Sequence, residues 1–302
     1  MIVVVGSANM DVVARVEDLP KPGETVMATG YLQAPGGKGA NQAVAAARPG
    51  GQVAFVGRLG KDEQGNRLRA SLQAAGVSTD RSIVDAENPT GTALIFVDRL
   101  GENSIVVVPG ANAYLEPSDV DAASDLLQAA RVIVLQLEIP LPTVVRAARI
   151  GHGSGATIIL NPAPARPLPP ELLSQVDILI PNEEELTNVS GEPTGTEAEA
   201  AAHSLLRNGV GAVIVTRGER GALVVTGDGS FAVSSPQVNA IDTVGAGDAF
   251  VGNLAYSLDS GETLRDGVEF AVAAAAVSVQ RAGAQPSMPS RAETMALLRS
   301  SS

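Results

Sequence analysis

Asp248 and the glycine-rich turn before it, within Asp242–Phe250, could carry phosphoryl-transfer chemistry. Gly245, Ala246 and Gly247 are small, so backbone N–H groups there could approach an anion at the start of a predicted helix, where the helix dipole also favours negative charge. Asp248 falls in the first turn beside that anion. Its carboxylate could accept a proton from a hydroxyl group that attacks a phosphate. The alternative is that Asp248 only caps the helix.

A second glycine-rich segment, Pro35–Ala43, also opens a predicted helix and includes Gly37, Lys38 and Asn41. The small residues would let the backbone pack closely on a ligand, and the Asn41 amide offers both a donor and an acceptor. The segment is not a P-loop, because that motif's Gly-x-x-x-x-Gly-Lys-Ser/Thr spacing occurs nowhere in the chain. The alternative is a glycine-rich helix start with a solvated lysine.

Asn9 and Asp11 follow the first predicted strand, and their side chains point the same way if the segment is extended. Such a pair suits vicinal hydroxyl groups of a polyol, although an Asx turn is the simpler interpretation of this segment alone. No Gly-x-Gly-x-x-Gly follows the strand, which argues against a dinucleotide site. Further polar segments follow later strands, at the edge where parallel sheets bind ligands. They are Gln136–Glu138, Asn161–Ala165, Pro181–Glu185 and Thr216–Gly221.

The elements that must position these residues alternate along the chain. The predicted strands are Ile2–Val5, Val53–Val56, Val132–Leu135, Thr157–Leu160, Ile178–Ile180 and Ala212–Thr216, followed by a hairpin of Ala222–Thr226 and Ser230–Val233. The predicted helices are Gly39–Arg48, Glu63–Ala75, Pro117–Ala130, Leu141–Ile150, Glu197–Asn208, Ala246–Leu258, Thr263–Arg281 and Arg291–Arg299. Strands of continuous apolar character are typical of parallel sheets covered on both faces. The pattern therefore predicts an α/β fold, a three-layer α/β/α sandwich with a mainly parallel central sheet.

Two extended segments, about 12–33 and 92–109, have no helices to cover them and predict a small β-sheet lid on a single domain of residues 1–302. Two runs within the second segment, Ala93–Val97 and Ser104–Val108, are almost continuously apolar, so both faces of the lid should be covered. One face could close over a ligand. The other could pair with a second subunit by two-fold symmetry, which predicts a homodimer through the lid.

Composition excludes several classes of protein. The 302 residues carry a formal net charge of −12, which argues against a general binder of nucleic acids or anionic membranes. The chain has no cysteine and only two histidines, which excludes disulfides, thiolate nucleophiles and multi-histidine metal sites. No apolar run reaches the about 20 residues of a membrane span. We therefore expect a soluble protein and, without a signal peptide at Met1–Gly6, a cytoplasmic one.

The chain from Val3 to about Arg299 resembles the ribokinase, or phosphofructokinase-B-like, family of carbohydrate kinases. Asp242–Asp248 is similar to the C-terminal signature of that family, and Gly36–Gln42 is similar to the N-terminal one. Further similar segments are Asn161–Ala165 and Gly283–Ser287. The resemblance implies a ribokinase-like sandwich whose β-lid is also a dimer interface. It also implies phosphoryl transfer from ATP to the 5-hydroxyl of D-ribose, giving ribose 5-phosphate and ADP.

The resemblance also implies roles for individual residues. Asp248 would be the base, and Gly245, Ala246 and Gly247 would form an anion hole. The residues implied to bind the sugar are Asn9, Asp11, Gly37, Lys38, Gly39, Asn41, Glu138 and Asp248. Those implied to bind ATP are Asn182, Thr216, Gly218, Glu219, Gly221, Gly247 and Val272, the last replacing a family His or Asn near adenine. Mg²⁺ would be bound through water by Glu185, and K⁺ by Asp242, Val244, Ser278, Arg281, Gly283 and Ser287, several through backbone carbonyls.

Three functions remain open. A D-ribose kinase agrees best with the pair Asn9 and Asp11, which suits a sugar with vicinal hydroxyls. Another sugar or nucleoside kinase of the same family, such as a deoxyribokinase or a fructokinase, is the alternative of the same class. The third is a catalytically silent sugar-binding protein. Such a protein would tolerate the loss of Gly247 or Asp248, so the presence of both residues makes it the least favoured of the three.

Overall fold

The computed structural model describes residues 1–301 of the chain, and its strands and helices follow one another in the order that the sequence pattern predicts for an α/β sandwich. The strands are β1 (Ile2–Val5), β2 (Asn9–Arg15), β3 (Gly30–Gly36), β4 (Val53–Val56), β5 (Arg58–Gly60), β6 (Val77–Ser78), β7 (Ile83–Asp85), β8 (Gly91–Val97), β9 (Asn103–Val108), β10 (Val132–Leu135), β11 (Thr157–Leu160), β12 (Ile178–Leu179), β13 (Ala212–Thr216), β14 (Ala222–Thr226) and β15 (Gly229–Val233). The helices are α1 (Lys38–Ala47), α2 (Glu63–Ala74), α3 (Pro117–Ala122), α4 (Ser124–Gln128), α5 (Leu141–Ser154), α6 (Pro170–Leu173), α7 (Glu183–Ser190), α8 (Ala198–Arg207), α9 (Ala246–Asp259), α10 (Leu264–Ser278) and α11 (Arg291–Ser301).

The central sheet has nine strands within residues 1–301, in the order β15-β14-β13-β12-β11-β10-β1-β4-β6. It is parallel from β6 to β13, and the hairpin β14–β15 extends it in antiparallel pairing, as predicted. Alternate residues of β1 enter different hydrophobic clusters. Val4 packs with α1 and α9 on one face, and Val5 packs with α5 and α8 on the other. This confirms the prediction of a three-layer sandwich.

The prediction of one helix over Pro117–Ala130 is wrong. Ala123, at φ −105° and ψ 13°, separates α3 from α4. Each short helix still buries an apolar side chain, Val120 in α3 and Leu127 in α4. The apolar periodicity therefore continues across the break, and the sequence gives no sign of it. The two-stranded sheet of β5 and β7 is also absent from the prediction, because strands of three residues carry too little pattern. No helix within residues 1–301 combines the length and the apolar character needed to cross a bilayer.

A second sheet, which we call the small sheet, contains β2, β3, β8 and β9 in the order β3-β2-β8-β9. It extends further toward the central sheet than the predicted segments 12–33 and 92–109, because β2 begins at Asn9 and β3 ends at Gly36. The small sheet therefore carries Asn9 and Asp11 on the same strand. At the edge formed by β9, every residue of the strand is exposed, including Ile105 and Val106 at 53% each.

Candidate active site

Asp248 lies in the first turn of α9 and is buried, in contact with the glycine-rich start of α1. The Nδ2 of Asn41 donates to its Oδ2 at 3.0 Å, and the Nε2 of Gln42 donates to its Oδ1 at 2.9 Å. Burial raises the pKa of Asp248, and Lys38 and the two amide hydrogen bonds oppose that shift without cancelling it. The fold thus brings the two glycine-rich segments together around one buried carboxyl group.

Glu138 is the second acid of this site and lies after the end of β10. Its Oε2 accepts hydrogen bonds from Ser7 Oγ at 2.5 Å, from the backbone N–H of Lys38 at 3.2 Å and from Asn9 Nδ2 at 3.5 Å. Burial alone would lower the pKa of Lys38, but the carboxylates of Asp248 and Glu138, with Glu185, raise it. Lys38 is therefore held as a cation between acids.

Asn9 is fixed by Asn112, a fully buried side chain to which the sequence assigned no role. Asn112 Nδ2 donates to Asn9 Oδ1 at 2.8 Å and to the backbone carbonyl of Ala8 at 3.1 Å, and Asn112 Oδ1 accepts from the N–H of Ala8 at 3.0 Å. These contacts orient the Asn9 amide with its nitrogen toward Glu138. Gly91 leaves room for the pair, since a Cβ there would lie 2.3 Å from Asn9 Oδ1.

Asp11 is half-buried on β2 and packs against Gly36 of the neighbouring strand β3. A Cβ at Gly36 would lie 2.1 Å from Asp11 Oδ2, so only glycine leaves room for this carboxyl group. Burial, together with the nearby carboxylates of Glu138 and Asp248, raises the pKa of Asp11 to about 7. Asp11 is thus a carboxyl group that gains and loses its proton near neutrality.

Gly37 and Gly39 bring the start of α1 against the segment after β1. Gly37 has φ +88°, and a Cβ there would lie 2.6 Å from the backbone nitrogen of Asn9. A Cβ at Gly39 would lie 2.7 Å from the backbone nitrogen of Ser7. The glycines therefore set the distance between Asn9, on β2, and Asn41, on α1. We call the group of Asn9, Asp11, Lys38, Asn41, Glu138 and Asp248 the polar cluster. Within it, Asn41 Oδ1 is buried and has no hydrogen-bond partner.

A cavity of about 460 Å³ opens next to the start of α9. The predicted nucleotide residues that line it are Thr216, Gly218, Glu219, Gly221, Gly247 and Val272. Further lining residues, which the sequence did not assign to the nucleotide, are Ser235, Pro236, Gln237, Val238, Ala240, Thr243, Ala246, Phe250, Ala275, Ala276 and Val279. Most of these side chains are apolar, which suits a flat heterocycle, and the volume is in the usual range for ligand sites. A Cβ at Gly247 would meet no atom within 4 Å, so that residue borders open space.

Asn182 and Glu185 do not line this cavity. They form a capping box at the start of α7, in which the N–H of Glu185 donates to Asn182 Oδ1 at 2.7 Å and the N–H of Asn182 donates to Glu185 Oε2 at 2.9 Å. Burial raises the pKa of Glu185, and Asp248 contributes in the same direction. Glu185 is therefore electrostatically coupled to the buried acid although it bonds its own helix. The acid run Glu183–Glu185 thus begins α7.

Asp242 joins two loops near the start of α9. Its Oδ1 accepts from the N–H of Val244 at 3.0 Å, and its Oδ2 accepts from the N–H of Gly283 at 2.8 Å. The hydroxyls of Ser278 and Ser287 are buried and donate to carbonyls of Ala275 and Ala284, so their oxygens keep lone pairs. The Arg281 guanidinium is paired with Glu293, which leaves only the Arg281 backbone carbonyl for a cation. These oxygen donors suit a hard monovalent cation.

No group of three or more His, Cys, Asp or Glu side chains within residues 1–301 could enclose a metal ion. Glu185 can still contribute one carboxylate oxygen to an ion that is held mainly by phosphates and water, which is the usual mode of Mg²⁺ binding. The residues therefore fit a Mg²⁺ ion that arrives with a phosphate-bearing ligand.

Three side chains behind Asp248 form a polar network that the sequence did not predict. Gln42 Nε2 donates to Asn161 Oδ1 at 3.1 Å as well as to Asp248, and Gln42 Oε1 accepts from Gln136 Nε2 at 2.6 Å. Gln42, Gln136 and Asn161 all lie in segments with a recognisable motif or strand end. Only the folded structure shows that they contact one another.

Residues 1–291 match the pfkB family carbohydrate kinases. The chain is 39% identical to ribokinase of Staphylococcus aureus over 292 residues, covering 95% of this chain and 96% of that protein. It is 41% identical to deoxyribokinase of Salmonella typhimurium over 293 residues, covering 96% and 95%. It is also 40% identical to the bifunctional ribokinase/ribose-5-phosphate isomerase A of Fructilactobacillus sanfranciscensis, of which it spans 54%.

Solved structures agree with these similarities. A ribokinase from Thermotoga maritima superposes with a TM-score of 0.92 at 38% identity, covering 99% of each chain. A structure of Arabidopsis thaliana ribokinase complexed with ribose and ATP superposes with a TM-score of 0.92 at 37% identity, covering 99% of this chain and 98% of that one.

Proposed function

This chain belongs to the pfkB family of carbohydrate kinases, and we propose that it transfers the γ-phosphoryl group of ATP to O5 of D-ribose, giving ribose 5-phosphate and ADP. One observation carries the proposal. Asp248 is hydrogen-bonded to Asn41 in the polar cluster, and its neighbour Gly247 lines the adjacent cavity. A buried carboxyl group at the junction of a polar site and an apolar cavity suits a base between a sugar and a nucleotide.

The polar cluster supplies the groups that a pentose needs. Asn9 and Asp11 would bind the 2- and 3-hydroxyls, and Glu138 would accept a hydrogen bond from a further hydroxyl. Asn41 Oδ1, which is buried without a partner, would accept a hydrogen bond from the sugar. Gly37, Lys38 and Gly39 would complete the wall through the backbone and one positive charge.

In the proposed reaction, Asp248 accepts the proton of the 5-hydroxyl as that oxygen attacks the γ-phosphorus, and ADP leaves with the electron pair of the broken P–O bond. The backbone N–H groups of Gly245, Ala246 and Gly247, at the positive end of α9, would stabilise the negative charge of the transferring group. The cavity beside Gly247 would hold adenine against Val272. A valine there gives adenine an apolar surface without a polar contact.

Two metal ions are part of the proposal. Mg²⁺ would arrive with ATP and be held through water by Glu185, near Asn182 and the phosphates; when bound it neutralises phosphate charge. K⁺ would be held by Asp242 and the carbonyl and hydroxyl oxygens of Val244, Ser278, Arg281, Gly283 and Ser287. Because Asp242 already joins the loop before α9 to the loop at Gly283, occupancy there would order the residues of the anion hole.

We further propose that the small sheet is a lid on a single domain and that it forms a homodimer. Strand β9 pairs with β8 on one side only, and all its residues are exposed; soluble proteins seldom leave such an apolar edge strand free. The inner strand β2 of the same sheet carries Asn9 and Asp11, so closure over a sugar and contact with a second subunit would be coupled. We propose a cytoplasmic location because the reaction consumes ATP.

Phosphorylation of 2-deoxyribose is the second candidate, because the 41% identity to a deoxyribokinase is as high as that to the ribokinases. Coupled assays with ribose, 2-deoxyribose, fructose and adenosine would decide between these activities. The loss of the 2-hydroxyl should lower kcat/KM by about tenfold or more, since it leaves a buried polar group unpaired. Equal efficiency on 2-deoxyribose would favour the second candidate, and inactivity on every sugar would indicate a binding protein.

A further inference from the structure

We propose that Gln42 is a positioning residue for phosphoryl transfer, which holds the Asp248 carboxylate in one orientation through a chain of amides fixed to the ends of the central strands. This inference rests on the proposed role of Asp248 as the base. Gln42 lies on α1, donates a hydrogen bond to Asp248 of α9, and is fully buried. It does not line the cavity proposed to hold the nucleotide.

The direction of each hydrogen bond in this chain is determined. The carbonyl of Ile180, just after β12, can only accept, so Asn161 presents Nδ2 to it at 2.9 Å and its Oδ1 to Gln42. Gln42 must then present its Nε2 to Asn161, and the second proton of that nitrogen is given to Asp248 Oδ1. Both protons of the Gln42 amide are used. A rotated amide would place Oε1 against two acceptors, so the rotation is blocked.

Gln136 holds the other side of the Gln42 amide. It follows β10, is fully buried, and donates from Nε2 to Gln42 Oε1 at 2.6 Å. Its own Oε1 has no partner, and Gly6 makes room for it, because a Cβ at that position would lie 2.0 Å away. An unpaired buried oxygen costs stability, so the arrangement is not the one that hydrogen bonding within the core would favour by itself. We interpret this cost as the consequence of fixing Gln42.

The expected effect is on both geometry and protonation of Asp248. Asn41 holds Oδ2 from the side of the sugar, and Gln42 holds Oδ1 from the side of the sheet, so the carboxylate cannot rotate. A hydrogen bond to a carboxylate also favours its charged form, and removing the bond should raise the pKa of the base. The charged groups that act on Asp248 from the other elements stay in place in a Gln42 variant. They are Lys38, Glu138, Glu185 and Asp11.

The test compares pH–rate profiles of Gln42→Leu and Gln42→Glu with the wild-type enzyme. We expect the acidic limb of kcat for Gln42→Leu to move up by about one pH unit, with kcat on the plateau about tenfold lower. The KM for the sugar should change by less than about threefold, since Gln42 does not face the sugar. Gln42→Glu conserves the shape of the side chain, and its carboxyl group would share a proton with Asp248, so its acidic limb should move further.

Gln73→Leu is the matched control. Gln73 lies on α2, outside the site, and its substitution also removes an amide donor, here one that bonds to Thr79 Oγ1. It should leave the pH profile unchanged. If both Gln42 variants fold, by circular dichroism and thermal unfolding, and keep the wild-type profile and kcat, the proposal is wrong. A lower melting temperature with an unmoved acidic limb would assign Gln42 to stability alone and would also overturn the proposal.

A direct titration separates this proposal from the proposed function. In protein labelled with ¹³C at the aspartate carboxyl carbons, the Asp248 resonance is the one that Asp248→Asn removes. Its midpoint should lie higher in both Gln42 variants than in the wild-type and Gln73→Leu proteins. That result would support the role of Gln42 even if the enzyme prefers a sugar other than ribose, whereas an unchanged midpoint would refute it. Absence of kinase activity in the wild-type protein would instead refute the proposed function.

Discussion

Binding of the sugar should depend on pH around neutrality because Asp11 titrates there. Its pKa is raised to about 7, first by burial and then by the carboxylates of Glu138 and Asp248. At pH 7 about half of the free enzyme therefore carries a protonated Asp11. Sugar hydroxyls that donate to the carboxylate favour its charged form, so the pKa must fall in the complex and binding must release a proton.

The size of the effect follows from the number of hydrogen bonds. A hydrogen bond to a charged group contributes about 1.5 kcal/mol, which corresponds to about one unit of pKa. Two hydroxyls would lower the pKa of Asp11 in the complex to about 5. The sugar affinity should then rise about 25-fold between pH 5 and pH 7, and about a hundredfold between the plateaus below about pH 4 and above about pH 8, with nearly one proton released per sugar near pH 6.

Isothermal titration calorimetry of ribose at pH 6 would measure this release. Phosphate and imidazole buffers have different ionisation enthalpies, so the apparent binding enthalpies in the two buffers should differ in proportion to the protons released. Asp11→Asn has the same shape without the titrating group, so its release should vanish and its weaker affinity should not vary with pH. Burial also raises the pKa of Asp248, so Asp248→Asn is tested in parallel: proton release should persist, centred at a somewhat lower pH because one carboxylate that raises the pKa of Asp11 is gone. Proton release that persists in Asp11→Asn, or that is absent from the wild-type enzyme, would refute the reasoning.

The remaining predictions concern the base, the cation and the dimer. Asp248→Asn should lower kcat by roughly 10²–10⁴ with little change in the calorimetric Kd for ribose, and a variant with normal turnover would show that another group is the base. Activity should be higher in K⁺ than in Na⁺ or choline at matched ionic strength, and Asp242→Asn should weaken that dependence; identical rates in all three salts would contradict the cation site. The wild-type protein should sediment as a dimer at micromolar concentration. Val106→Asp and Val107→Asp, on the two faces of β9, should weaken the dimer and raise the KM for ribose, whereas a monomeric wild type would exclude this interface.

The sequence alone determined the layers of the fold. The apolar runs Ile2–Val5 and Val132–Leu135 are strands with the predicted bounds, because a strand covered on both faces must be apolar throughout. It also determined that Asp248 stands in the first turn of a helix after a glycine-rich turn, since that arrangement is local. The family followed from the same local segments. These features depend on neighbours in the chain, which a sequence displays directly.

Local pattern was not enough where an element ends or breaks for tertiary reasons. The interruption between α3 and α4 at Ala123 leaves the apolar periodicity intact, so the sequence predicts a continuous helix. The small sheet begins as early as Asn9, because β2 pairs with β8, which lies about eighty residues further along the chain. The bounds of β2 thus depend on the position of a distant strand.

The tertiary structure alone decided how the site is held and charged. Asn112 and Asn9 are 103 residues apart, and Gln42 and Asp248 are 206 residues apart, so no local spacing connects them. The pKa of Asp11 near 7 has the same origin, because it results from burial and from Glu138 and Asp248 on other elements. Hydrogen bonds and charge interactions act through space over a few ångströms. A sequence records which groups are available, and the fold determines which of them come within that range.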